Sequence, residues 1–143
     1  MLEKVMEIAQ EAGRIVMGYY DVPQLEVSRK NGEQYNLLTK ADTESDAYIR
    51  KMLAKEFPKD RILSEETVSD ITDFSGRVWM VDPLDGTKDF VNKGSGFSVM
   101  IGLCDKGVPI LGVVYAPAKR LLYCGQKGAG AYVFRENKKE MVF

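Results

Sequence analysis

Two aspartates three residues apart, Asp82 and Asp85, bracket a proline-containing turn in the stretch Val78-Trp79-Met80-Val81-Asp82-Pro83-Leu84-Asp85-Gly86-Thr87-Lys88-Asp89-Phe90. Val78 to Val81 are four apolar residues in a row, which reads as a strand buried on both faces, and the run stops at Asp82. A carboxylate at the end of a buried strand is costly unless a cation or several hydrogen-bond donors meet it. Two such carboxylates converging on one spot predict a metal. Gly86-Thr87 then allows a sharp turn, and Thr87 is expected to cap a short helix whose N–H groups suit an anion. The stretch therefore predicts Mg²⁺ and phosphate held together. The competing reading is a plain turn in which Asp caps the backbone beside Pro and Gly. An EF-hand does not fit, because acids at its first, third and fifth loop positions are missing.

Composition narrows the chemistry further. The chain has no histidine, so His-based triads, imidazole zinc sites and His general bases are excluded, and carboxylates, hydroxyls and lysines remain. A net charge of −1 with scattered lysines and arginines carries no footprint for a nucleic-acid polymer, while a small anionic substrate stays open. Cys104 and Cys124 form neither a metal-type pair nor a disulfide framework, which predicts two thiols in a reducing cytoplasm. Neither a signal peptide nor a membrane span is read in the sequence. A chain of 143 residues, 45% apolar and 29% charged, is long enough to fold as one domain with its own core.

The elements that must position the aspartates follow from periodicity. Leu2, Val5, Ala9, Ala12, Val16 and Tyr19 recur at helical spacing, predicting a packing helix from Met1 to about Tyr20. Pro23 ends it, Leu25 to Val27 reads as a short strand, and Ser28 to Gln34 is a polar loop carrying Lys30. A second helix is expected from Thr39, with Thr39 and Asp42 resembling a capping box, and Pro58 stops it after about Phe57. Arg61 to Ser64 is a strand running into Glu65-Glu66, and Thr67 to Gly76 a long surface loop. Phe97 to Cys104 and Val108 to Tyr115 form a hairpin turning at Asp105-Lys106-Gly107, and Leu121 to Cys124, Ala131 to Phe134 and Glu140 to Phe143 are further strands. Tyr19, Tyr20 and Tyr115 are expected in the core, and Lys88 and Asp89 either face a nucleotide or pair with each other. The class is α+β, with two N-terminal helices packed on a mainly antiparallel sheet.

Three segments agree in order and spacing with one family. Leu63-Ser64-Glu65-Glu66, Asp82-Pro83-Leu84-Asp85-Gly86-Thr87 and Gly112-Val113-Val114-Tyr115 resemble the inositol monophosphatase superfamily of Mg²⁺-dependent, lithium-sensitive phosphomonoesterases. Asp85 to Phe90, Asp-Gly-Thr-Lys-Asp-Phe, is most similar to the 3'(2'),5'-bisphosphate nucleotidase branch. The resemblance implies that Glu65, Asp82 and the Leu84 carbonyl hold a first metal, that Asp82 and Asp85 share a second, and that Glu65 is preferred to Glu66. It implies phosphate contacts from the N–H groups of Gly86 and Thr87 and from Lys30. It implies that Asp42 and Thr87 orient and deprotonate the attacking water, with Glu65 also counted as catalytic.

For the whole chain the resemblance implies an N-terminal metal- and phosphate-binding domain, residues 1–143, the first half of a layered αβαβα sugar-phosphatase fold. The family completes its second metal site with a later Trp-Asp motif, and Trp79 is the one tryptophan here. One well-formed Mg²⁺ site is therefore expected, against the two or three ions of the complete family site. The implied substrate is a small phosphate ester, a nucleotide bisphosphate or an inositol phosphate. The alternative from another class is an inactive metal-binding or assembly module. On that view Val99, Ile101, Val113 and Tyr115, or their neighbours on the opposite face, form an apolar patch that drives self-association or docks a missing C-terminal half.

Overall fold

The computed structural model describes residues 1–20, 27–29, 37–67, 74–135 and 138–142. Helix α1 (Leu2–Tyr20) turns Val5, Ile8, Ala9, Ala12 and Val16 to the core, one stripe at helical period. Gly13 lies in that stripe because the helix approaches the sheet closely: a Cβ there would stand 2.5 Å from the Tyr115 ring. Helix α2 (Lys40–Glu56) buries Ala41, Asp42, Ser45, Asp46, Ile49 and Leu53, so its inner face is apolar in its second half and polar in its first. The two helices pack on each other and on one face of the main sheet.

That sheet runs in spatial order β3 (Arg61–Ser64), β4 (Arg77–Asp85), β5 (Ser98–Asp105), β6 (Val108–Ala116), β7 (Leu121–Gln126), β8 (Gly130–Arg135) and β9 (Lys138–Met141). From β4 onward every neighbour is antiparallel and consecutive in the chain, whereas β3 pairs with β4 in parallel. A separate antiparallel ladder joins β1 (Val27–Arg29) to β2 (Leu37–Thr39). No helix among the described residues is long and apolar enough to cross a membrane.

Strand alternation puts Trp79, Val81, Val99, Ile101, Leu103, Leu111, Val113 and Leu122 under the helices. Trp79 is fully buried, its indole N–H donating to Asp60 Oδ2 at 2.9 Å and its ring 4.9 Å from that of Phe57. Tyr19, Tyr20 and Tyr115 pack at the margin of this core, as expected.

Several boundaries differ from the sequence reading. Val78 to Val81 is not buried on both faces: Met80 points away from the helices and is 44% exposed. The strand also does not stop at Asp82, since β4 continues to Asp85 with a register shift that follows from the proline lacking a ladder N–H. Strand β1 lies at Val27–Arg29, β2 was not foreseen, and β9 begins earlier than Glu140. Leu25 and residues 68–73 of the expected surface loop lie outside the described residues. Val99, Ile101 and Val113 are buried, so the open apolar surface belongs to their neighbours on the outer face.

Candidate active site

The parallel pairing of β3 with β4 sets Ser64 beside Val81, so the chain leaves both strands at the same end of the sheet. The Glu65 N–H donates to the Val81 carbonyl at 3.0 Å and ties the two exits together. Glu65 and Asp82 therefore follow adjacent strand positions. Asp82 is half-buried, while Glu65 and Asp85 are exposed. Burial first, then the carboxylates of Glu65 and Asp85, push the Asp82 carboxyl from its ordinary 3.8 up to about 7; the Leu84 N–H, donating to Asp82 Oδ1 at 3.2 Å, opposes this. Among the described residues no three acidic, His or Cys side chains already converge as a metal-binding group. The donors are oxygen only, the set that a hard divalent cation takes and that a soft metal does not.

After Asp85 the backbone enters the left-handed region at Gly86, φ 81°, which becomes the N-cap of the short helix α3 (Thr87–Val91). Glycine is needed there twice over, because a Cβ would also come within 2.6 Å of the Gly96 carbonyl oxygen. Thr87 is thus the first residue of α3 and not its cap. Its hydroxyl donates back to the Leu84 carbonyl at 3.0 Å, closing the turn from inside. That carbonyl keeps a second lone pair.

Helix α3 is anchored at its far end. The Asp89 carboxylate accepts the Gly96 N–H at 2.5 Å, and the Gly94 N–H donates to the Asp89 carbonyl at 2.9 Å. The Asp89 side chain thereby closes its own loop, a contact that the sequence reading did not include. Phe90 is buried against Phe97 at 5.0 Å and Tyr20 at 5.7 Å, and the Tyr20 hydroxyl donates to the Lys93 carbonyl at 2.8 Å. The turn and α3 are therefore fastened to the end of α1.

Behind the turn stands α2. Asp42 is 3% exposed in its first turn, on the face that also carries Ser45 and Asp46. Ser45 Oγ donates to the Pro83 carbonyl at 2.9 Å, and Ser64 Oγ donates to Asp46 Oδ1. Reading the sequence overlooked Ser45 and Asp46. The available signal was their place on the same helix face as Ile49 and Leu53, where a solvated side chain is not expected. Lys30 lies outside the described residues. On the outer face of the sheet, Glu65 and Asp82 border an apolar trough of about 570 Å³ whose floor includes Met80, Met100 and Val114.

Comparison with known proteins agrees with this fold. The model of the inositol monophosphatase family matches residues 1–141. The 3'(2'),5'-bisphosphate nucleotidase CysQ of Salmonella typhimurium is 37% identical over 131 residues, which cover 90% of this chain and 52% of that protein. A histidinol-phosphatase of Chlorobaculum parvum is 33% identical over 132 residues, 92% of this chain and 50% of that one. Among solved structures, the extragenic suppressor protein suhB of Bartonella henselae is similar with a TM-score of 0.84 and 32% identity, covering 92% of this chain and 50% of its own. The chain spans about half the length of the curated relatives it matches.

Proposed function

The chain belongs to the inositol monophosphatase family, and from that premise we propose that residues 1–143 are the N-terminal metal- and phosphate-binding domain of a Mg²⁺-dependent phosphomonoesterase most like a 3'(2'),5'-bisphosphate nucleotidase. The observation that carries the proposal is the parallel register that sets Ser64 beside Val81, so that Glu65 and the half-buried Asp82 leave adjacent strands at one end of the sheet; the raised Asp82 carboxyl fits a shortage of positive charge there that a divalent cation relieves. Mg²⁺, when bound, supplies charge against the phosphoryl oxygens and acidity to a water.

The chain's residues take the following roles. Glu65, Asp82 and the Leu84 carbonyl hold the first ion, and Asp82 with Asp85 offers ligands to a second. The N–H groups of Gly86 and Thr87, with Lys30, receive the phosphate. Asp42 and Thr87 orient and deprotonate the attacking water, whose proton ends on the Asp42 carboxylate, with Glu65 supporting them from the metal side. As the water oxygen bonds to phosphorus, the ester oxygen leaves opposite it. One firmly held ion is proposed for this chain, because the ligands named for the second amount to Asp82 and Asp85.

The substrate class is a small phosphate ester, with a 3'-phosphorylated adenosine nucleotide preferred to an inositol phosphate. Unpaired Cys104 and Cys124 fit a reducing, cytoplasmic setting. The outer face with its apolar trough is proposed to be covered by a C-terminal half like that of the relatives, whose length is about twice what this chain matches. The same open face supports a second reading, in which this chain alone is an inactive metal-binding module. Phosphate release from adenosine 3',5'-bisphosphate and from inositol 1-phosphate, with Mg²⁺ and with or without lithium, tests both. Faster, lithium-sensitive release from the nucleotide is expected once the second half is present. No release from either substrate in that form would overturn the enzymatic reading; Mg²⁺ binding without turnover by this chain alone would favour the module.

A further inference from the structure

The inner face of α2 changes from apolar to polar where it meets the two loops that carry the carboxylates. Ser45 and Asp46 are 0% and 3% exposed, and each is hydrogen-bonded within the protein. Ser45 donates to the carbonyl of Pro83, the residue between Asp82 and Leu84. Asp46 accepts the hydroxyl of Ser64, the residue before Glu65, and its other oxygen accepts Arg50 Nε at 2.7 Å. The Ser64 hydroxyl oxygen in turn accepts the Glu66 N–H at 3.3 Å, bending the chain just past Glu65. Each contact grips a neighbour of Glu65 or Asp82 and not the carboxylate of either.

Stability alone does not account for this pattern. A buried carboxylate must be fully paired to break even, and apolar residues of similar volume often serve a core as well or better. The rest of the same helix face, Ile49 and Leu53, is apolar. What the polar pair adds is geometry: adjacent residues on one rigid helix hold two loops that are sixteen or more residues apart in the chain. We propose that Ser45 and Asp46, the latter through Ser64, are positioning residues that fix the separation of Glu65 and Asp82 and so set the affinity for the divalent ion. This inference rests on reading Glu65 and Asp82 as metal ligands, and it extends to residues that no ligand role touches.

The test uses this chain free of metal, in the forms Ser45→Ala, Asp46→Asn, Ser64→Ala and Ser64→Thr. Calorimetric titration with Mn²⁺ gives the affinity, and amide hydrogen exchange gives the mobility of Glu65, Glu66 and Leu84 against core amides such as Trp79 and Ile101. Loss of a residue that orients a metal ligand typically weakens binding by about 10- to 100-fold. Ser45→Ala, Asp46→Asn and Ser64→Ala are expected to lose about tenfold in affinity and to exchange faster at their own loop, with core exchange unchanged. Ser64→Thr keeps the hydroxyl and is expected to restore both. Wild-type affinity in all three variants, or exchange that rises uniformly with the core, would overturn the proposal. If the wild-type chain binds no divalent ion, the ligand reading of Glu65 and Asp82 fails, and the exchange data still decide the positioning role by being local or uniform.

Discussion

Replacing Asp82 with asparagine is expected to stabilise the metal-free chain above neutral pH while abolishing its tight binding of divalent ions. Asparagine keeps an oxygen for the Leu84 N–H and removes the charge that Glu65 and Asp85 oppose. Because the folded Asp82 carboxyl is raised to about 7, the folded state holds a proton that the unfolded chain has released, so stability falls as pH rises from about 4 to 7 and is flat beyond. For a fully shielded group, holding a carboxyl at 7 instead of 3.8 corresponds to about 4 kcal/mol; Asp82 is half-buried and screened by water, so about 2 kcal/mol is the working figure. The asparagine variant in chelator should therefore match wild type at pH 4 and exceed it by about 2 kcal/mol at pH 8. Urea unfolding followed by the fluorescence of Trp79, the sole and fully buried tryptophan, measures both. With Mg²⁺ at about 100 times its dissociation constant the order should reverse, because wild type then gains about 2.7 kcal/mol and the variant does not. An asparagine variant that is less stable in chelator at pH 8, or a difference that does not change with pH, would refute the charge-crowding argument.

Three further outcomes follow from the geometry. Gly86→Ala combines a left-handed backbone with a Cβ 2.6 Å from the Gly96 carbonyl oxygen, and should lower stability by about 2 kcal/mol or more; an unchanged urea midpoint would contradict it. Gly13→Ala sets a helix-propensity gain of about 1 kcal/mol against overpacking on the Tyr115 ring of about 1–3 kcal/mol, so a net loss of about 1 kcal/mol is expected by thermal melting, and a gain would show that α1 shifts freely. The outer face, with Met80 44% exposed beside the trough, should make this chain self-associate with rising concentration in light scattering, and Met80→Lys should weaken that association; a monomer throughout would mean that the patch is too small to drive it.

Much of this arrangement could be read from residue order, and the exceptions share a cause. Helices α1 and α2 announce themselves by period, and the hairpin of β5 and β6 by its Asp105-Lys106-Gly107 turn, because both signals are local. The grouping of Asp82, Asp85 and Gly86 was legible for the same reason: an acid ending an apolar run is conspicuous in one dimension. The parallel partner of β4 was not, since nothing near Arg61 to Ser64 specifies which strand it joins. Met80 facing outward could not be told from Val81 facing inward, because a strand with apolar residues on both sides has no alternation to read. Ser45 and Asp46 share a helix face with Ile49 and Leu53, which marks them as buried, but only the fold places Pro83 and Ser64 beside them. Thr87 was legible as the start of a short helix and misread in detail, because cap and first-turn positions differ by one residue and a φ angle decides between them.

The order of the strands also bears on how fast the parts come together. From β4 to β9 each strand pairs with the next in sequence, so that region can zip from turn to turn with short loops to close. The β3–β4 pairing is different, for it is parallel, sits at the sheet edge and closes across the segment between Ser64 and Arg77. It should be a late event in folding. Bringing Glu65 next to Asp82 would then fall after the rate-limiting barrier, and a divalent ion should slow unfolding while leaving the folding rate nearly unchanged.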